Sequence, residues 1–533
     1  MLTITRDRPT WRSLTAAALI CGLALAGAGC TSPDSEQPSP PPGGGDSASR
    51  APLLTFAVSA PATGINPATV VTAFSYFAEL AYEPLVYYAK GGTYEPALAE
   101  SWQITEGNTG LTMELRQDVK FSDGTPVNAE AVKASLDYCA SDASINALAL
   151  RDLDAVEVTG EFSLSLTLKQ ANPLLLNVLS QRQGCGMIIS PAGLADIDNL
   201  TVDSPSAGAG AYIYDPDQSV PGDTYTYTVN PTYYDPAKQH FDKVVLKVIA
   251  ESQAALNALT TGQVDVTSGD LSTAIQAASN DQVNLSWIPV VWTGLNLIDR
   301  QGQLTPALGD VRVRQAINYA IDRQAITTAI LGDFGVPTAS PSAEGYDGWT
   351  PEAQSYYSYD PDKAKQLLAE AGYANGFEMP AATVAWAGYD TLMTAIEPML
   401  AAVGITLNVT TTADETGYYE ALTGRQQSAV LVGYGSLPMF RMGQDLVLPE
   451  ALPFNGFGTD DPSALALFDE LRSAPPDQAS AKAQALNTYL VENAWFAPVL
   501  FTPIFAYYRN GVSGIDLNDG RQTISVLEVT LEG

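Results

Sequence analysis

The sequence predicts a mixed α/β fold with more than one domain. Three observations carry this. Strand-length apolar or alternating runs recur between segments of helical periodicity, as at 241–266, where FDKVVLKVIA, ESQAALNALTTGQ and VDV follow one another. Several helical segments carry their own start and stop residues. The chain has 533 residues, 46 % hydrophobic and only 16 % charged. That is enough apolar surface for several cores at roughly 100–200 residues per domain.

Taken in order, APLLTFAVSA (51–60) reads as a first strand, and LTMELRQDVKF (111–121) alternates as a second. FSDGTP (121–126) is a turn, and VNAEAVKASLDYC follows as a helix with Asn128 as N-cap and Glu130 in its first turn. TYTYTVN (224–230) and FDKVVLKVIA (241–250) are strands. A helix then runs to near Gly262, with a short strand after it. From Asp310, Val313, Ile317, Ile321 and Ala325 recur every four residues, which predicts one long amphipathic helix stopped by Gly332. DPDKAKQLLAEAGY predicts a helix capped by Asp360, with Pro361 first and Gly372 as stop. TLMTAIEPMLAAVG is a helix kinked at Pro398, leading into the strand ITLNVTTT. SALALFDELRSA and DQASAKAQALNTYLVENA are two more helices. The chain closes with the apolar run FAPVLFTPIFAYY and the alternating strand TISVLEVTL.

The N-terminus reads as an export signal. Arg6, Arg8 and Arg12 precede an apolar run from Leu14 to Ala28. That run is short for the ~20 residues that span a bilayer. LAGAGC, ending at Cys30, is similar to the lipobox of bacterial lipoproteins, with Gly27 where Leu is usual. The similarity implies a signal peptide over 1–29, removed to leave a lipid on Cys30. Residues 31–50, TSPDSEQPSPPPGGGDSASR, lack apolar periodicity and read as a solvated tether, so 30–50 is expected to hold the protein at the outer face of the cell membrane.

The formal charge is −33, from 26 basic and 59 acidic residues. That excludes nucleic acid as a partner, because phosphate binding needs clustered Lys and Arg. His240 is the only histidine, which excludes His-based triads, HExxH zinc sites and His-rich metal cages. In an oxidising compartment Cys139 and Cys185 are expected to pair as a disulfide, the alternative being two buried thiols.

EPALAESWQI (95–104), LTMELRQDVKFSDGTPVNAEAVKASLDY (111–138), DVRVRQAINYAIDRQAI (310–326) and YDPDKAKQLLAEAGY (359–373) occur in that order. Together they resemble the extracytoplasmic solute-binding proteins of the peptide, dipeptide and nickel class, family 5, which serve ABC importers. FDKVVLKVIAESQAALNALTTGQVDV (241–266) and WFAPVLFTPIFAYYRNGVSGI (495–515) match as well. The resemblance implies an α/β, two-lobed periplasmic-binding-protein type II (Venus-flytrap) fold with an extra subdomain on lobe one. Lobe one would be 51–94, 206–285 and 498–533, the extra subdomain 95–205, and lobe two 286–497. It implies a monomer that holds a small molecule or peptide between its lobes and passes it to a permease and its ATPase. No cofactor, metal or catalysis is expected.

In peptide-binding members a lobe-two strand carries a Gly-Trp-x-x-Asp type motif before a proline, and its Asp meets the peptide's ammonium. The matching stretch is AVLVGYGSLPMF (429–440), where Gly433 and Tyr434 fit and Leu437 stands near the place of the Asp. A buried ammonium needs a carboxylate, so Asp414, Glu415 and Asp445 become candidate substitutes. Expected ligand contacts are Tyr434, Gly435 and Ser436, Phe74 and Tyr76 after GINPAT, Trp292 and Asn296 in VWTGLNL, and Trp386 and Tyr389 in AWAGYD. Peptide is the expected ligand, with a sugar or glycoside, or a sensor role without transport, as alternatives.

Overall fold

The computed structural model describes residues 50–532 apart from 71–73, 91, 386–387 and 518–523. The segments expected to be a signal peptide (1–29) and a tether (30–50, all but its last residue), with Cys30, lie outside the described residues, as does Trp386. Among the described residues no helix is long and apolar enough to cross a membrane.

One large sheet organises the molecule. Its strands run in the order Ile405–Thr412, Phe377–Val384, Ala429–Gly435, Val283–Asn296, Phe496–Arg509, Val266–Gly269, Leu54–Val58, Lys243–Val248, Thr224–Val229, Tyr212–Val220. Two strands are parallel to both neighbours: Leu54–Val58 in one group, Phe377–Val384 in the other. They are built from apolar runs and covered by helices, as parallel strands require.

The link between the groups is an antiparallel ribbon of Val283–Asn296 and Phe496–Arg509, 14 residues each. One end borders Val266–Gly269 and the other Ala429–Gly435. Its register slips between Pro289 and Val291, where Pro289 faces Pro503. Neither proline has an N–H to give the ladder, so the sheet is weakest where its two groups meet. The expected crossings at 285/286 and 497/498 fall inside these strands.

A separate sheet of Ala99–Ile104, Gly110–Leu115, Ser163–Leu168 and Leu153–Gly160 packs on the helix Ala129–Cys139. Leu111, Met113 and Leu115 point inward by the two-residue strand period and meet the core shared by Val132 and Leu136. A disulfide joins Cys139 to Cys185, 46 residues on. Local signals work as their chemistry dictates. Asn128 accepts from Ala131 N at 3.0 Å and Asp360 from Lys363 N at 2.8 Å, each capping its helix. Gly372 takes φ +91° just past the second.

Three expectations need correction. The long helix from Asp310 is two, Val311–Tyr319 and Arg323–Leu331. Asp322 starts the second by accepting from Ala325 N at 2.9 Å. Arg323 turns inward and donates to the carbonyls of Asn318, Thr338 and Pro498. The break shifts the stripe by one residue, so Ile326 is buried and Ala325 exposed. The strand at 111–121 ends at Leu115. TISVLEVTL is a 3-10 turn, Val526–Glu528, and a two-residue strand, Thr530–Leu531, because Val526, Leu527 and Val529 are all buried rather than alternating.

Candidate functional site

The stretch AVLVGYGSLPMF forms the strand Ala429–Gly435, turns at Pro438 and enters the helix Met439–Leu446. A side chain at Gly433 would strike the Tyr389 hydroxyl, so the glycine makes room for that ring. Tyr434 packs edge-on against Phe454, with ring centroids 5.3 Å apart. Its hydroxyl donates to Asp445 Oδ2 at 2.7 Å, and Arg441 Nε donates to the same oxygen at 2.7 Å. Burial pushes the Tyr434 phenol well above the usual tyrosine range, and Asp445 adds to the shift. Asp445 is thus compensated within the protein. Asp414 caps the helix Glu415–Thr423 through Gly417 N at 2.9 Å. Neither aspartate, nor Glu415, lines the cavity described below.

Of the expected ligand contacts, Trp292, Asn296 and Ser436 are fully buried in the fold. Trp292 lies against Phe496 at 5.3 Å. Asn296 donates to Phe454 O at 2.9 Å and accepts from Arg300. Ser436 donates its N–H to Val290 O at 2.6 Å, and its hydroxyl accepts from Ala343 N. Phe74 and Tyr76 meet edge-to-face at 6.1 Å and pack on the core of the first strand group. Gly435 faces open space.

A cavity of about 890 Å³ begins at Leu437, within the ~300–1,000 Å³ range of small-ligand sites. One wall comes from segments 88–94, 145–152 and 172–183. The other comes from 345–349 and 437–444, with Ser480 and Gln484. The first set lies in the chain between strands of the first group, and the second between the two ribbon strands. Ile145 and Leu148 are 56 and 67 % exposed here, an apolar surface left open on the wall. The charged lining is Arg151, Arg182 and Arg441 against Asp152 and Asp347. A strongly acidic chain therefore presents more cations than anions at this point.

Arg182 and its neighbours are held firmly. The Gln181 amide accepts from Tyr88 N at 2.8 Å and donates to Tyr88 O at 2.9 Å. Asn146 Nδ2 donates to the carbonyls of Pro67 and Val70, both at 3.1 Å. The Cys139–Cys185 bond anchors the same wall from behind. Across the cavity, Asp347 accepts from Met439 N at 2.8 Å, at the first residue of the helix beyond Pro438. Burial lifts its carboxyl to about 6, against the backbone N–H bonds that pull it down. Sequence reasoning missed Asp347, Arg182 and Tyr346. The available signal for two of them was EGYDGWTP (344–351), an acid among aromatics in a Gly- and Pro-rich connection. Among the described residues no group of three His, Cys, Asp or Glu side chains is placed to hold a metal.

Residues 93–441 match the model of the bacterial extracellular solute-binding proteins, family 5 middle region. Over 350 residues the chain is 29 % identical to heme-binding protein A of Haemophilus influenzae, covering 59 % of this chain and 61 % of that protein. It is 28 % identical over 328 residues to the glutathione-binding protein GsiB of Escherichia coli strain K12, covering 59 % of this chain and 60 % of GsiB. The matches thus span about 60 % of the length of these curated relatives. The solved structure of AgaA from A. tumefacien R10 with agropinic acid superposes with a TM-score of 0.70 at 24 % identity, over 90 % of this chain and 99 % of that one. Such a likeness shows the fold, two-lobed and α/β, of the type II periplasmic binding proteins. With a family model covering more than half of its length, the chain belongs to family 5 of the bacterial extracellular solute-binding proteins.

Proposed function

We propose that this protein is the solute receptor of an ABC importer, capturing a peptide between its lobes and handing it to a membrane permease with its ATPase. The observation that carries the reading is the 890 Å³ cavity with one wall from each side of the strand ribbon. A solute touching both walls favours the arrangement in which they approach, with no covalent chemistry. In this reading the lobes divide as 51–94, 206–285 and 498–533 against 286–497, with 95–205 as the added subdomain. Asp347 takes the ammonium role for which Leu437 lacks a carboxylate. Cys30 carries lipid, residues 31–50 are the tether, and the receptor acts as a monomer outside the cytoplasm.

Native mass spectrometry of protein purified without refolding tests the ligand class, since slowly dissociating solutes survive purification. A ladder of bound peptide masses is the expected result. A single non-peptide mass would remove the peptide reading while keeping the receptor. Leu437 favours that second reading, a non-peptide solute, because it leaves an apolar side chain where peptide binders place an acid. Incorporation of labelled palmitate, lost in Cys30→Ala, tests the anchor.

A further inference from the structure

We infer that Arg182 and Tyr346 form a carboxylate-binding subsite, one donor from each wall of the cavity. The inference rests on the receptor reading and names the chemistry its solute must carry. Arg182 Nη1 is buried without a hydrogen-bond partner, and so is the Tyr346 hydroxyl. Both residues line the cavity. None of the described ion pairs includes Arg182, whereas Arg441 on the facing wall is already neutralised by Asp445. The Arg182 guanidinium stands over the Tyr88 ring at 5.6 Å, which orients its plane without satisfying its N–H groups. Burial raises the Tyr346 phenol and the nearby Arg182 charge opposes that rise, so the two groups feel one another across the gap.

An unpaired buried donor costs free energy, and a guanidinium costs more than a hydroxyl. Arg182 is partly exposed as a residue, but its Nη1 is shielded beside the Tyr88 ring, and that nitrogen carries the cost. An oxyanion relieves it, and a carboxylate suits both partners: it accepts two guanidinium N–H bonds side by side, or one together with a phenol O–H. A neutral solute would leave the guanidinium charge uncompensated. A cationic one would meet Arg151 and Arg182 together. The apolar faces of Ile145, Leu148 and Leu437 are left for the body of the solute.

The test offers the full chain two mixtures, a tryptic casein digest and the same digest after esterification with methanol. Bound mass is counted by native mass spectrometry. The expected result is capture from the untreated digest and at least tenfold less from the esterified one. Arg182→Gln should lose at least tenfold of the capture and Tyr346→Phe about threefold. Neither change should lower the melting temperature of the ligand-free protein, because each removes an unsatisfied donor. Equal capture of both digests overturns the subsite and leaves the receptor standing. Unchanged capture by Arg182→Gln, or a fall of several degrees in its melting temperature with capture intact, assigns the residue to structure and overturns it as well. Capture from neither digest defeats the peptide reading instead. Citrate, glutathione and agropinic acid at 10 mM then decide the subsite. A rise in melting temperature in the parent but not in Arg182→Gln supports it, and no rise with any of them ends it.

Discussion

Arg300, Arg314 and Arg323 sit in the core of the second strand group at 4, 8 and 6 % exposure, while Arg182 sits on the cavity wall. The core residues belong to none of the described ion pairs and rely on backbone and amide oxygens. Arg314 donates to the carbonyls of Asn493, Arg300 and Leu308. Arg323 donates to those of Thr338, Pro498 and Asn318 and to the Asn318 side chain. Arg300 reaches the Asn296 and Asn455 side chains and lies 4.2 Å over the Trp495 ring. Desolvation pulls Arg300 down to about 9 and Arg323 to about 10. Arg300 leaves only its Nε without an acceptor, whereas the Arg182 guanidinium makes none of the described side-chain hydrogen bonds. Burial of a guanidinium therefore does not mark function. What separates the two regions is whether the protein itself supplies the acceptors.

The sharpest way to break this comparison is Arg323→Leu. It strips donors from three interior carbonyls, and unfolding by urea should show a loss of about 5 kcal/mol. A loss below about 1 kcal/mol would mean that the core arginines are no better satisfied than Arg182. Next comes the brace of the cavity wall. Replacing Cys139 and Cys185 by Ala frees a loop closed over 46 residues, worth about 4 kcal/mol on chain entropy. The same denaturation curve measures it, and ligand capture should fall alongside.

Asp347 sharpens the cavity side. Its carboxyl is raised to about 6 from 3.8, so the folded state binds the extra proton. That contribution is fully present below about pH 4 and is lost as pH rises through about 6, a change of about 3 kcal/mol. Asp347→Asn should flatten that part of the profile between pH 4 and 7 relative to the parent. Identical slopes would show that Asp347 is better solvated than its burial indicates. The smallest effect calibrates the scale. Asp270 caps the helix Leu271–Ala278 in a reciprocal pair with Thr273 and is held down to about 2. Asp270→Ala should cost about 1 kcal/mol in thermal unfolding. In the parent its contribution is lost only as pH falls through about 2, opposite in sign to Asp347.

The fold was legible because its signals are local. Caps such as Asn128 and Asp360 act within four residues, and strands such as 405–412 show in their own alternation. The break at Asp322 was hidden because Val313, Ile317 and Ile321 still face one core across it. The site was less legible because its walls come from segments near 90, 150, 180, 346, 440 and 484. Leu437 could be placed, since the strand, turn and helix around it are contiguous. Aromatic residues are ambiguous in sequence, because a buried tryptophan such as Trp292 carries the same signal as one in a cleft. Arg182 stands out only when the hydrogen bonds of its neighbours are known.

The ribbon of Val283–Asn296 and Phe496–Arg509 acts as a leaf spring. Ladder bonds on both sides of the Pro289–Pro503 gap resist sliding and stretching, and the two register shifts, at Pro289/Val291 and Thr293/Gly294, concentrate bending in one short stretch. Two independent linkers would leave the halves several rotations and a translation. A paired strap leaves them essentially one soft angle. A solute that draws the cavity walls together thus removes the entropy of a single coordinate, and most of its contact energy remains as affinity.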